Sequence, residues 1–261
     1  MIPSNTSTIK EITSHSVIPS QFKVAFVLVT SLFFLWAIAH NMNDILIRQF
    51  QKALDLSRGE ASFIQISFYL AYFFAAIPAG ILMKKLGFKK TIIIGLSLYA
   101  LGAALFYPAA EVRSYGFFLA ALFILASGIV FLETSGSGYI TLVGDPATSA
   151  RRINFSQSFN GVGAITAPLI GGLFIFSGVE YSPEQLAALS TEALNSYRIA
   201  EAQQVQMPYV IISVVLICLA LAIAFTRFPS VNFTKSQASA TPFLTIFQHK
   251  SFTGALVGQF F

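Results

Sequence analysis

Two carboxylic acids, Asp44 and Glu133, lie inside stretches apolar enough to cross a membrane. An ionised side chain in a bilayer is costly and as a rule functional. Desolvation disfavours the charged form of a carboxyl group, so acids in such places suit the uptake and release of a proton. No lysine or arginine lies deep in either stretch to neutralise them. Around Asp44, the residues His40, Asn41 and Asn43 complete a polar cluster. Asn41 and Asp44 are three apart and share a helical face, and polar groups at this depth must face protein or water rather than lipid. Two readings are open: proton work, or an ion pair of Asp44 with Arg48 four residues on, which would keep the acid charged.

Glu133 is followed by Thr134, Ser135 and Ser137, which can hydrogen-bond locally, and by Gly136 and Gly138, which allow close approach of a helix or a ligand. The alternative to proton work here is a structural hydrogen bond from a permanently protonated acid. Further along, Asn154, Gln157 and Asn160 recur every three residues and form one stripe. Amides both donate and accept, which suits a neutral polyhydroxylated ligand such as a sugar. Hydrogen bonding between helices is the competing use. Trp36, Tyr69 and Tyr72 have rings that could stack on a sugar, although packing is the ordinary role of such rings. Gln65 is another cavity candidate.

These residues must be positioned by membrane helices. The chain of 261 residues is 55% hydrophobic and 10% charged, with 27 phenylalanines and a mean hydropathy of +0.71. Soluble domains carry roughly 25% charged residues. A span needs about 20 mostly apolar residues, and six runs qualify: 24–47, 61–83, 91–107, 115–143, 154–176 and 208–228. A seventh apolar run starts near Ser251 and reaches Phe261, too short to span, so the chain reads as ending inside an element. The predicted organisation is a tail over 1–22, a six-helix bundle over 23–228, a polar linker over 229–250 and the start of a seventh helix over 251–261. The fold class is all-α, as two sets of three helices. One membrane acid falls in the first helix of each set, as repeats arranged around a central site would give.

Basic loop residues set orientation. With the N-terminus in the cytoplasm, the inner segments hold Lys10, Lys23, Lys84, Lys85, Lys89, Lys90, Arg151, Arg152, Arg227, Lys235 and Lys250. The outer segments hold Arg48, Lys52, Arg58, Arg113 and Arg198. The outer segment 177–206 is acidic, with Glu180, Glu184, Glu192 and Glu201. The net charge of +5 sits in short gaps between apolar runs, not in a groove-sized patch, which argues against nucleic acid. One cysteine, Cys218, permits no disulfide framework. No enzyme, cofactor or metal constellation is visible: the histidines His15, His40 and His249 are far apart, and there is no HExxH, phosphate loop or Cys/His spacing.

The segment Gly80-Ile-Leu-Met-Lys-Lys-Leu-Gly-Phe-Lys-Lys90 resembles the helix 2–3 loop motif of the major facilitator superfamily, with Lys84 where that motif usually has an acid. The strings Phe33-Phe-Leu-Trp-Ala37, Asn43-Asp-Ile-Leu46, Phe131-Leu-Glu-Thr134 and Asn154-Phe-Ser-Gln-Ser-Phe-Asn-Gly-Val-Gly-Ala164 resemble the L-fucose permease group of sugar:proton symporters. The resemblance runs from about Phe22 onward and implies alternating access, twelve helices in a family chain, and a monomer in a bacterial inner membrane. It implies proton coupling at Asp44 and Glu133. Sugar contacts would fall to Asn41, Glu133, Gln157 and Asn160, with a gating loop of Gly80, Lys84, Lys85, Gly87, Lys89 and Lys90. The family usually follows its Glu-Thr with Ala-Ala-Asn-Pro-Tyr; Ser135-Gly-Ser-Gly-Tyr139 stands here instead, and the change bears on the helix bend and on sugar preference. A passive facilitator, a symporter for another hexose or amino sugar, and a six-helix channel or structural membrane protein are the rival functions.

Overall fold

The structure, a computed structural model, describes residues 17–175 and 181–228, together with the single positions 249, 251, 254 and 258. Most of the tail, the linker and the seventh run therefore lies outside the described residues, as do Lys10, Glu180, Lys235 and Lys250. The chain divides into two units, residues 1–229 and 230–261. The first carries every candidate site residue.

Eight α-helices account for nearly all of the described residues in that unit. They are α1 (Lys23–Leu54), α2 (Arg58–Leu86), α3 (Phe88–Val112), α4 (Tyr115–Leu142), α5 (Ser149–Phe174), α6 (Pro183–Ala188), α7 (Thr191–Gln203) and α8 (Gln206–Phe225). Five stretches are long and apolar enough to cross a membrane: Ser20–Leu54, Arg58–Leu86, Phe88–Val112, Tyr115–Leu142 and Thr191–Phe225. Helix α5 has the length, with 26 residues spanning about 39 Å, but its first turns carry Arg151, Arg152 and the amide stripe. Its composition is therefore less apolar than the run 154–176 suggests. Helix α1 extends seven residues beyond the predicted 47, through Arg48, Gln49 and Lys52.

Local signals explain the helix ends. Ser57 caps α2 by accepting from the Glu60 amide, and the Glu60 carboxylate accepts from the Ser57 amide, a reciprocal pair that satisfies two otherwise orphaned donors. Between α2 and α3 stands one residue, Gly87, at φ +80°, a backbone conformation natural to glycine. Short connectors make sequential neighbours antiparallel. One end of the bundle thus gathers Lys23, Lys84, Lys85, Lys89, Lys90, Arg151, Arg152 and Arg227, and α6 and α7 belong to the other end.

Packing is selective. Helix α4 lies on α3 and α2, α1 lies on α5, and α8 lies on α3. The pairs α1/α5 and α4/α2 are the same pairing with the two triplets exchanged, which fits a repeat. The α3–α4 contact is unusually close because glycines remove side chains there. A Cβ on Gly102 would stand 2.6 Å from Leu125 Cβ, and one on Gly128 would stand 2.7 Å from Gly95 O. Of the glycines on α5, Gly163 approaches Phe34 and Ala37 of α1, and Gly171 approaches Ile45. Gly161 and Gly172 have nothing within 4 Å, so only two of those four act as packing notches.

Candidate functional site

Helices α1, α2, α4 and α5 supply every candidate ligand-facing residue, while α3 and α8 support them from the side. Glu133 sits eighteen residues into α4 and is half-buried. Its carboxylate Oε1 accepts a hydrogen bond of 3.0 Å from the hydroxyl of Tyr72 on α2. No ion pair forms on Glu133 among the described residues. The acid is thus held by a neutral donor and leaves no permanent cation to displace when a proton arrives.

Asp44 is different. Its side chain is exposed on α1 and forms neither an ion pair nor a hydrogen bond among the described residues. The ion pair with Arg48 is therefore absent, and so is burial within this bundle. His40, one turn earlier, is also exposed, and its ring meets Phe68 edge-on at 5.3 Å and Tyr72 at 6.4 Å. The Asn43 Nδ2 donates to Gln65 Oε1 at 3.0 Å, tying α1 to α2. Its own Oδ1 is buried without a partner. Asn41 is half-buried and donates to the Ala37 carbonyl of its own helix at 2.7 Å, which leaves its amide oxygen available.

On α5, Gln157 is exposed and Asn160 half-buried. No hydrogen bond ties Asn154, Gln157 or Asn160 to another helix among the described residues. The inter-helix bond at this level is made instead by Ser156, whose hydroxyl is 3.0 Å from that of Thr30 on α1. The stripe is therefore free to meet a ligand, and small hydroxyls beside it carry the packing. Trp36 is buried against Phe33 with ring centroids 4.1 Å apart, and it faces Gly136 of α4, so its role is packing.

The loop motif at the basic end is not a loop. Gly80, Lys84 and Lys85 belong to the last turns of α2, and Lys89 and Lys90 to the first turn of α3, with Gly87 alone between them. Lys84, Lys85 and Lys90 are exposed. Lys89 Nζ donates to the carbonyls of Ala224 at 2.8 Å and Thr226 at 2.9 Å. It thereby satisfies orphan carbonyls at the C-terminal end of α8 with a favourable charge.

Two further groups have roles that the sequence pattern does not reveal. Arg152, counted among the inner loop charges, is fully buried. It donates to Ile140 O (3.1 Å), Thr141 O (3.0 Å), Asp145 O (2.9 Å) and Thr148 Oγ1 (2.5 Å), locking the end of α4 to the start of α5. Glu201, counted as an outer surface acid, is buried and accepts from Gln49 Nε2 of α1 at 2.6 Å. The continuation of α1 past residue 47, which the apolar run does not show, is what brings Gln49 to Glu201. Nothing in the sequence distinguishes Arg152 from its neighbour Arg151.

A family comparison decides the class. The Major Facilitator Superfamily pattern matches residues 22–261. The chain belongs to the Major Facilitator Superfamily. Among curated relatives, it is 47% identical over 210 residues to the L-fucose-proton symporter of Escherichia coli strain K12, covering 80% of this chain and 48% of that protein. It is 36% identical over 220 residues to the glucose/galactose transporter of Brucella abortus biovar 1, covering 84% of this chain and 50% of that protein. A crystal structure of a transporter of this superfamily, FucP, in the outward conformation matches with a TM-score of 0.74 and 43% identity, over 88% of this chain and 56% of that one. The chain spans about half the length of the curated relatives it matches. The all-helical fold expected from the apolar runs, and the superfamily that the motif strings resemble, are thus what is found.

Proposed function

We propose that this chain forms the N-terminal six-helix bundle of a sugar:proton symporter that works by alternating access, with L-fucose as its substrate. The observation that carries the reading is Glu133, a half-buried acid in an apolar helix whose partner is a neutral hydroxyl. Such a group can exchange a proton without breaking an ion pair. The amides of exposed Gln157 and half-buried Asn160, with Asn41 and with Asp44, which has no partner among the described residues, present hydrogen-bonding groups suited to sugar hydroxyls and to proton entry. The similarity to an L-fucose-proton symporter supports the same substrate class.

In the proposed cycle, Glu133 takes a proton from outside, and sugar binds beside it. Neutralising the acid removes the desolvation cost of closing the cavity. Opening to the cytoplasm rehydrates the carboxyl, and proton and sugar leave. Asp44 tunes or relays the proton. The residues proposed as a gate, Gly80 to Lys90, lie at the cytoplasmic end in this orientation, and the protein is placed in a bacterial inner membrane with its N-terminus inside. The tail over 1–22, the linker over 229–250 and the start of a seventh helix over 251–261 complete the proposed layout.

The test reconstitutes the intact protein carrying this chain in proteoliposomes. L-Fucose, D-galactose and D-glucose are each added while external pH is followed. Alkalinisation with L-fucose is expected, and Glu133→Gln abolishes proton-driven accumulation. Accumulation against a gradient that survives Glu133→Gln refutes the role of Glu133. Alkalinisation with D-galactose or D-glucose but not L-fucose assigns the substrate as in the relatives named glucose/galactose transporters.

A further inference from the structure

We infer that Tyr72 is the positioning residue through which α2 senses the proton on Glu133. This role rests on the symport reading and deepens it.

The Tyr72 ring is held in place by an aromatic cluster. Phe68 lies 5.4 Å away between ring centroids, His40 and Tyr69 each 6.4 Å. With the ring fixed, the hydroxyl is left to donate to Glu133 Oε1. An ionised carboxylate only accepts, whereas a protonated one also donates. Arrival of a proton on Glu133 therefore changes what its partner must do. The Tyr72 hydroxyl turns about its C–O bond and accepts from the carboxyl. That rotation moves one hydrogen and no heavy atom.

The bond between α2 and α4 thus takes its direction from the proton on Glu133. The titratable groups facing Tyr72 besides Glu133 are Tyr69 of its own helix, Tyr99 of α3 and His40 of α1. Among the described residues no lysine or arginine bonds to the pair. His40 contributes by its ring, which abuts both Phe68 and Tyr72 and links the tyrosine to the helix that bears Asp44.

The experiment uses Tyr72→Phe in the intact protein, reconstituted beside the wild type and Glu133→Gln. Phenylalanine keeps the ring cluster and removes only the hydroxyl. Sugar counterflow, which needs no net proton movement, is expected to stay within about twofold of wild type. Proton-driven accumulation is expected to fall at least about fivefold, and the pH profile of counterflow to be displaced by about one unit, as the loss of one hydrogen bond to a charged group gives. 3-Fluorotyrosine at position 72 keeps the shape and strengthens the donor. It is expected to displace the same profile in the opposite sense, and it serves as the test where the phenylalanine variant fails to insert.

If the wild type shows no sugar-induced proton uptake, the symport reading itself fails. If the wild type couples and Tyr72→Phe matches it in accumulation and pH profile, this inference alone is overturned. A rise in sugar KM with an unmoved pH profile also overturns it, because Tyr72 would then be a sugar contact.

Discussion

Replacing Gly128 by alanine should loosen the bundle and uncouple it in one step. The added Cβ would stand 2.7 Å from Gly95 O and 2.8 Å from Tyr99 Cα, and would also fall on the Tyr99 amide nitrogen. All three obstacles are backbone atoms of α3, which no rotamer change can clear. Carbon contacts settle at about 3.5–4.0 Å, so the two helices must part by about 1 Å. Overpacking of this kind costs about 1–3 kcal/mol, and alanine recovers at most about 1 kcal/mol through helix propensity. A net loss near 2 kcal/mol lowers the melting midpoint by about 4–8 °C for a chain of this size. Glu133 lies five residues on, about 7.5 Å along the same helix. The 3.0 Å bond with Tyr72, if stretched by the same amount, passes beyond hydrogen-bonding distance. The assay is thermal inactivation in detergent with proteoliposome accumulation measured in parallel. Gly161→Ala serves as control, since nothing lies within 4 Å of that position, and it should be neutral or slightly stabilising. A Gly128→Ala protein that melts at or above the wild-type temperature and accumulates sugar normally would refute the packing argument.

Arg152→Leu should be severe. It leaves the Ile140 and Thr141 carbonyls without their buried donors, at a cost of at least about 3 kcal/mol, read as loss of monodisperse protein on size-exclusion chromatography. Gln157→Ala and Asn160→Ala should leave the melting midpoint within about 2 °C, because neither side chain bonds to another helix, while sugar KM rises about tenfold or more; isothermal titration and uptake kinetics separate these effects. Asp44→Asn should keep wild-type stability, since no ion pair is lost, yet reduce proton-driven accumulation at least about tenfold; a fall in melting temperature with transport intact would reverse the assignment.

Much of this architecture could be read from the residues because the bilayer demands long apolar helices. Five of the predicted runs recur as stretches long and apolar enough to span. The helix ends shifted where polar residues continue a helix past the lipid, as α1 does through Gln49 to meet Glu201. Sequence alone could not tell that Arg152 turns inward while Arg151 stays exposed, because adjacent helical residues differ only in the face they present. It could not join Tyr72 to Glu133, since 61 residues separate them and neither period nor motif encodes the pair. Residue type and spacing supplied the amide stripe and the acids as candidates, and the family resemblance attached sugar and proton roles to them. What it could not supply was their partners: Asp44 unpaired among the described residues, Glu133 held by a phenol, and the glycine motif at the basic end consumed by two helix termini.

The single residue between α2 and α3 has a consequence for membrane topology. One residue reaches at most about 3.6 Å, far short of a lipid core about 30 Å thick, so the end of α2 and the start of α3 must lie on the same face of a bilayer. The lysines at that junction, Lys84, Lys85, Lys89 and Lys90, therefore share that face, and reversing either helix would have to carry all four charges through the lipid.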